Sequence, residues 1–252
     1  MNITISANAQ ELGCKAAAYA AQIINESIGA KGYARIVLST GASQFETLQA
    51  LVSHDIDWGK VEMFHLDEYI GLPVSHPASF RKYLKERFLA GVQLRQAHLV
   101  DGEGDVQETI RVLTEELRKD EIDLALIGIG ENAHIAFNDP PADFATKEAY
   151  IVVDLDEACK RQQVGEGWFA TPADVPKQAI SMTVHQILQS KAIISCVPHK
   201  VKAKAIRDTL KEDVTNRIPA TILKTHPNWS LFLDEASSSE LRPELIAKWS
   251  DQ

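Results

Sequence analysis

Short runs of almost unbroken aliphatic residues recur along this 252-residue chain, separated by stretches with helical spacing. The runs are Ala34–Leu38, Val61–Leu66, Ile122–Ile127, Tyr150–Leu155, Ala192–Val197 and Trp229–Leu233. A strand that is apolar at nearly every position has no face to offer to water, so it belongs in a sheet covered on both sides. The intervening stretches, Gln10–Ser27, Gln44–Val52, Ser79–Leu89, Val106–Leu117 and Val201–Leu210, carry apolar stripes at helical intervals, and Asp105 is placed to cap the fourth. Alternation of this kind predicts parallel strands joined by right-handed crossovers. The expected fold class is therefore α/β: a doubly wound, mostly parallel sheet with helices on both faces, Rossmann-like in outline. No repeat, low-complexity tract or Gly/Ser linker breaks the pattern, so residues 1–252 are read as one domain. With 45% hydrophobic residues there is material for a sizeable core. The segment from Gln162 to Lys177, with Gly165, Gly167, Pro172 and Pro176, reads as a loop placed to act as a lid. A brief helix over Pro243–Trp249 follows the last strand.

The formal net charge is -9, and the basic residues are scattered rather than clustered, so neither nucleic acid nor an anionic membrane is an expected partner. An acidic balance does not exclude an anionic substrate, because a phosphate is held by local amides and one or two cations. Cys14, Cys159 and Cys196 are odd in number, far apart and without metal-like spacing, which points to unpaired thiols in a reducing cytoplasm. The first ten residues lack a basic-then-apolar leader pattern, and no apolar run is long enough to cross a bilayer.

Four segments at strand ends carry groups suited to chemistry. Ser39-Thr40-Gly41-Ala42-Ser43 joins an apolar strand to a helix, where small residues permit a tight turn, the helix start offers amides, and Thr40 and Ser43 add hydroxyls. That suits a phosphate, although taken alone it is an ordinary strand-to-helix turn. Asp67 and Glu68 follow the second strand, and ligands in open α/β sheets bind beyond the carboxyl ends of strands. One of these carboxylates can serve as a general base; most such pairs are solvated loops or helix caps. A metal set of His65, Asp67 and His76 is weak, since nothing else completes it.

The third segment runs from Gly128 to Pro141. Gly128, Gly130 and Ala133 match a dinucleotide fingerprint, but Pro140-Pro141 stops any helix too early for the crossover that such a motif needs. His134 with Asp139 is better read as a His–carboxylate pair, in which the acid orients the imidazole and suits it to proton transfer near neutrality; a structural histidine is the bland alternative. In the fourth, Lys200 lies just past a strand at a helix start and can meet an anion there, or is an ordinary surface lysine.

Taken in order and wording, these segments resemble the glucosamine-6-phosphate deaminase/isomerase family, related to 6-phosphogluconolactonases, from about Ile36 to Asp234. The specific matches are Leu66-Asp67-Glu68-Tyr69 with Gly71-Leu72-Pro73 and His76-Pro77, and His134-Ile135-Ala136-Phe137-Asn138-Asp139-Pro140; Val175-Pro176-Lys177-Gln178-Ala179 is weaker. The resemblance implies isomerisation of an aminosugar phosphate with loss of ammonia, without cofactor or metal. Asp67 matches the base that moves a proton between C2 and C1, and His134 the residue that assists ring opening. Asp139 stands where the family has a Glu working with that histidine, and Asn132 where it carries Asp or Asn. Thr40, Gly41, Ala42 and Ser43 match the phosphate loop, Lys200 matches a phosphate-binding lysine, and Glu68 is grouped with the substrate-binding residues. The alternatives are a lactonase and a non-catalytic sugar-phosphate sensor of the same fold.

Three departures stand out against the family pattern. Asp139 is one methylene shorter than the Glu. Ala133 replaces a common Gly, so its turn must avoid positive φ or be strained. Glu166 falls where a phosphate-binding Arg is expected, and a carboxylate there repels a phosphate; Lys160 or Arg161 is the available substitute. The short C-terminal stretch is read as that of a monomer or small homo-oligomer.

Overall fold

The computed structural model describes residues 1–245. The strands are β1 (Asn2–Ser6), β2 (Ala34–Leu38), β3 (Val61–His65), β4 (Asp67–Tyr69), β5 (Gln96–His98), β6 (Leu124–Leu126), β7 (Tyr150–Asp154), β8 (Gln178–Met182), β9 (Ala192–Val197) and β10 (Trp229–Asp234). The α-helices are α1 (Ala9–Lys31), α2 (Phe45–Leu51), α3 (Phe80–Leu84), α4 (Val106–Leu117), α5 (Glu157–Gly165), α6 (Val184–Leu188) and α7 (Ala203–Lys211). Seven strands form a parallel sheet in the order β1-β10-β9-β6-β2-β3-β5.

The two faces of this sheet explain the unbroken apolar runs. Ile36, Leu38, Met63, Leu124, Leu126 and Ile194 point into one core, shared with the alanine-rich face of α1. Val37, Phe64, Ala125, Ile127, Ile193 and Leu231 point into the other, against α4, α6 and α7. Residues of the central strands are thus buried whichever way they point, while the edge strands β1 and β5 keep exposed positions. α1 starts at Asn8, whose side chain accepts from the Glu11 amide, and stops at Gly32, which adopts φ 86°.

Chain order reverses between β2 and β6. From β2 the chain builds outward through β3 to β5; it then returns to β6 and builds the other way through β9 to β10. The segments leaving β2, β3, β6 and β9 emerge at the same sheet edge around this switch point, where ligands of doubly wound folds bind.

One expected strand of the main sheet lies elsewhere. Tyr150–Asp154 pairs antiparallel with Gln178–Met182, which pairs antiparallel with Asp67–Tyr69, giving a separate three-stranded sheet in the order β4-β8-β7. This small sheet grows from β3 through Leu66, whose carbonyl accepts from the Met182 amide at 2.9 Å. Its outer side carries a third cluster, with Tyr69 packed against Phe80, Phe137 and Phe169. An apolar run records burial, not the identity of its partner, so the run at Tyr150 is ambiguous between the two sheets. The expected loop over 162–177 is helical up to Gly165: Asp156 caps α5 by accepting from the Cys159 amide. The expected helix over Pro243–Trp249 begins at Pro243–Leu245 and otherwise lies outside the described residues.

Candidate active site

A cavity opens at the switch point. Its walls come from each segment that leaves a strand tip there. The β2 loop contributes Thr40, Gly41, Ala42 and Ser43. Gly41 adopts φ 99° and ψ 166°, a conformation that only glycine enters readily, and it is followed by a short 3-10 turn, Ala42–Gln44, leading into α2. The turn is held by the Gln44 side chain, which donates to Ser43 Oγ at 3.0 Å and to the Cys196 carbonyl at 3.1 Å.

Asp67 enters from β4 and is only 5% exposed. Burial, with Glu68 adding like charge, holds its carboxyl well above the usual range. A carboxylate whose charged form is disfavoured by burial is a stronger base than a solvated one, which suits it to accepting a proton.

His134 enters from the turn after β6. No crossover helix follows β6; residues 128–149 are turns, which removes the dinucleotide reading of Gly128, Gly130 and Ala133. The turn is tight: the Gly130 amide donates to the His134 carbonyl and the Ala133 amide to the Gly130 carbonyl. Ala133 has φ 63° and Ala136 φ 51°, so the turn does use positive φ at a residue with a Cβ, and two alanines carry the strain. The imidazole lies against Gly130, where an added Cβ would come within 2.3–2.5 Å of three ring atoms.

Behind the ring lies Asp139, with Oδ1 3.0 Å from His134 Nδ1. The approach is that of an ion pair, and His134 Nδ1 and Asp139 Oδ2 have no regular hydrogen-bond partner. The interaction is therefore an electrostatic pairing that orients the ring. Burial raises the Asp139 carboxyl, but His134, Asn132 and the Cys159 thiol together outweigh it and leave Asp139 below the ordinary value. Asn132 braces the pair rather than lining the cavity: its amide donates to Asp139 Oδ1 at 3.1 Å and its carbonyl oxygen accepts from the His134 amide at 3.2 Å.

Two expected binding residues lie outside the cavity. Lys200 is exposed and donates to Ser239 Oγ at 2.6 Å. Lys202, two residues on, lines the cavity and is 5% exposed. The signal that separates them is helical phase. Lys202 shares a face with Ala205, Ile206 and Thr209, all buried in α7, whereas Lys200 does not. Glu68 is fully buried and turned away from the cavity. It accepts from the Tyr69 and Phe80 amides through Oε1, and from Ser79 Oγ and the Arg81 amide through Oε2. Arg81 Nε also reaches Glu68 at 3.3 Å, so this carboxylate anchors the start of α3.

Glu166 lines the cavity from the end of α5, together with Gln162 and Gln163. Its carboxylate is held by Gln162 Nε2 at 2.8 Å and Trp168 Nε1 at 3.1 Å, and lies 3.9 Å from Lys202 Nζ. Neither proposed substitute reaches the cavity: Lys160 pairs with Glu157, and Arg161 lines a separate depression beside Asn132.

A model of the family described as glucosamine-6-phosphate isomerases/6-phosphogluconolactonase matches residues 7–231. The chain belongs to this family. Glucosamine-6-phosphate deaminase of Halothermothrix orenii is 35% identical, with 96% of this chain and 100% of that one covered. The deaminase of Lactobacillus delbrueckii subsp. bulgaricus is 33% identical at the same coverage. The solved structure of a monomeric glucosamine-6-phosphate deaminase superposes with a TM-score of 0.86 at 28% identity, covering 95% of this chain and 99% of that one. The 6-phosphogluconolactonase of Trypanosoma brucei, at 16% identity and a TM-score of 0.78, shares the fold, with 96% and 98% covered.

His65 is buried with Nδ1 accepting from the Val100 amide, and His76 Nδ1 accepts from the Ala78 amide, so the candidate set of His65, Asp67 and His76 is dispersed. His134, Asp139 and Cys159 do bring ligand-type atoms within 4.8 Å of one another. However, burial and the neighbouring Asp139 charge push the Cys159 thiol far up, so it stays protonated and is a poor metal ligand. No helix of the described residues is long and apolar enough to cross a membrane.

Proposed function

We propose that this protein converts an aminosugar phosphate, glucosamine 6-phosphate, into the ketose phosphate and ammonia, as the names of its relatives indicate. One observation carries the reading: a buried carboxyl of raised pKa, Asp67, and an imidazole paired with a carboxylate, His134, line one cavity at the switch point.

The chemistry follows from these groups. His134 moves the proton at the ring oxygen so that the sugar opens, with Asp139 stabilising the imidazolium that forms transiently. Asp67 removes the proton from C2 of the open chain; the electron pair shifts toward C1, and the proton is returned at C1. The resulting imine at C2 is hydrolysed by water, which releases ammonia. Holding both groups across one bound sugar supplies the proximity that such transfers need. The β2 loop and Lys202 take the phosphate. The reaction calls on no cofactor or metal ion. The protein works in the cytoplasm as a monomer or small homo-oligomer.

The test is ammonia release and fructose 6-phosphate formation from glucosamine 6-phosphate, lost in Asp67→Asn. A folded wild-type protein that hydrolyses 6-phosphogluconolactone and releases no ammonia from the aminosugar replaces this reading with the lactonase one.

A further inference from the structure

The anion-binding end of the cavity holds an unusual charge arrangement. Among the described residues that line it, Lys202 is the one lysine or arginine, and Glu166 faces it at 3.9 Å. Burial lowers the Lys202 pKa, with Glu166 and Glu131 acting against that shift. The Glu166 carboxylate cannot easily swing away, because Gln162 and Trp168 each donate to it. Two further titratable groups come from packed elements: Tyr69 of β4, whose hydroxyl senses Asp67, Glu68 and Glu166, and Cys159 of α5, which acts on both Lys202 and Tyr69; burial holds both in their neutral forms. The end of the cavity is therefore close to neutral before any substrate enters.

A sugar phosphate free in solution above pH 7 is a dianion, since its second pKa is about 6. Set beside Glu166, that dianion would leave two net negative charges in a largely buried site. Two acids sharing a site resolve this by raising one pKa. Both Glu166 oxygens already accept from an N–H, of Gln162 and of Trp168, so this carboxylate is arranged as an acceptor and the shared proton is assigned to the phosphate. We propose that substrate binds as the phosphate monoanion, its P–O–H donating to Glu166 while Lys202 and the β2 loop hold the other oxygens. This rests on the reading that the substrate is a sugar phosphate. Binding above pH 7 then takes one proton from solution, and affinity falls as pH rises.

The experiment uses fructose 6-phosphate, which lacks a titrating amine. Calorimetric titration at pH 8 in buffers of different ionisation enthalpy is expected to show uptake of about one proton by the wild type, with Kd rising about tenfold from pH 7 to pH 8. Glu166→Gln is expected to bind with little uptake and a Kd that changes less than about twofold over that range. The phosphorus resonance of the bound ligand at pH 8 is expected at the monoanion position in the wild type, a readout that needs no variant. Absence of proton uptake, equal uptake in Glu166→Gln, a dianion resonance, or failure of the wild type to bind the ligand overturns the inference. Ammonia release without proton-linked binding overturns it and leaves the deaminase reading standing; proton-linked binding without ammonia release does the reverse.

Discussion

Replacing Gly130 with alanine adds one methyl group and no charge, yet it should disable the histidine. The new Cβ would lie 2.3 Å from His134 Cε1 and Nε2 and 2.5 Å from Cδ2, whereas ordinary contact begins at 3.4 Å. The ring must retreat by roughly 1 Å, since a Cβ overlaps it nearly face-on. Gly130 does not have positive φ, so the substitution adds no backbone penalty of its own. A misplacement of about 1 Å in a proton-transfer group costs on the order of a hundredfold in rate, or roughly 2.7 kcal/mol of barrier. Overpacking costs about 1–3 kcal/mol of stability, which leaves the chain folded. The assay is kcat for ammonia release from glucosamine 6-phosphate, with urea unfolding as the stability check. Gly29→Ala, in α1 and away from the cavity, is the control, since nothing lies within 4 Å of its added Cβ. Wild-type kcat in a folded Gly130→Ala would refute the placement of the His134 ring and its role.

Lys202→Ala should raise KM for the sugar phosphate by about ten- to a hundredfold, the loss of a charge-assisted contact, while Lys200→Ala stays within about twofold in the same steady-state assay. Glu68→Ala strands the donors of Ser79, Phe80 and Arg81, and should lower unfolding free energy by about 3–5 kcal/mol in urea titration. Asp67→Asn should lower kcat by at least about a hundredfold. It should also stabilise the fold. A carboxyl whose folded pKa is raised favours the native state below its unfolded value and progressively disfavours it as pH rises toward the folded one, so Asp67→Asn should raise Tm more at pH 8 than at pH 4. Equal Tm shifts at both pH values would count against the buried, charge-averse setting of Asp67.

The central strands of the main parallel sheet were legible because they are buried on both faces, which leaves an unbroken apolar run, whereas the partly exposed edge strand β1 was not. β5 was not legible, because three residues at a sheet edge have no pattern to read, and β8 was hidden inside a polar-flanked stretch. Tyr150–Asp154 was recognisable as a strand but not assignable to a sheet, since pairing partners are set by the whole chain. In the cavity, Asp67 and His134 could be found because each follows a strand tip and sits in a distinctive run of residues. Of two neighbouring lysines, Lys200 lies nearer the strand end but outside the cavity, and helical phase buries Lys202 with Ala205 and Ile206.

By itself, the sequence determined which segments are buried, where the chain turns, and which residue types stand at the carboxyl ends of the strands. These are local properties, set by side-chain chemistry and by spacing at periods of 2 and 3.6 residues. The tertiary structure alone decided that Glu68 caps α3 instead of facing the cavity, that Gly130 yields its volume to the His134 ring, and that Glu166 meets Lys202 across one wall of the cavity. Each of these joins residues brought together only by folding or turned by it to one side, and no local spacing encodes which groups will share a wall.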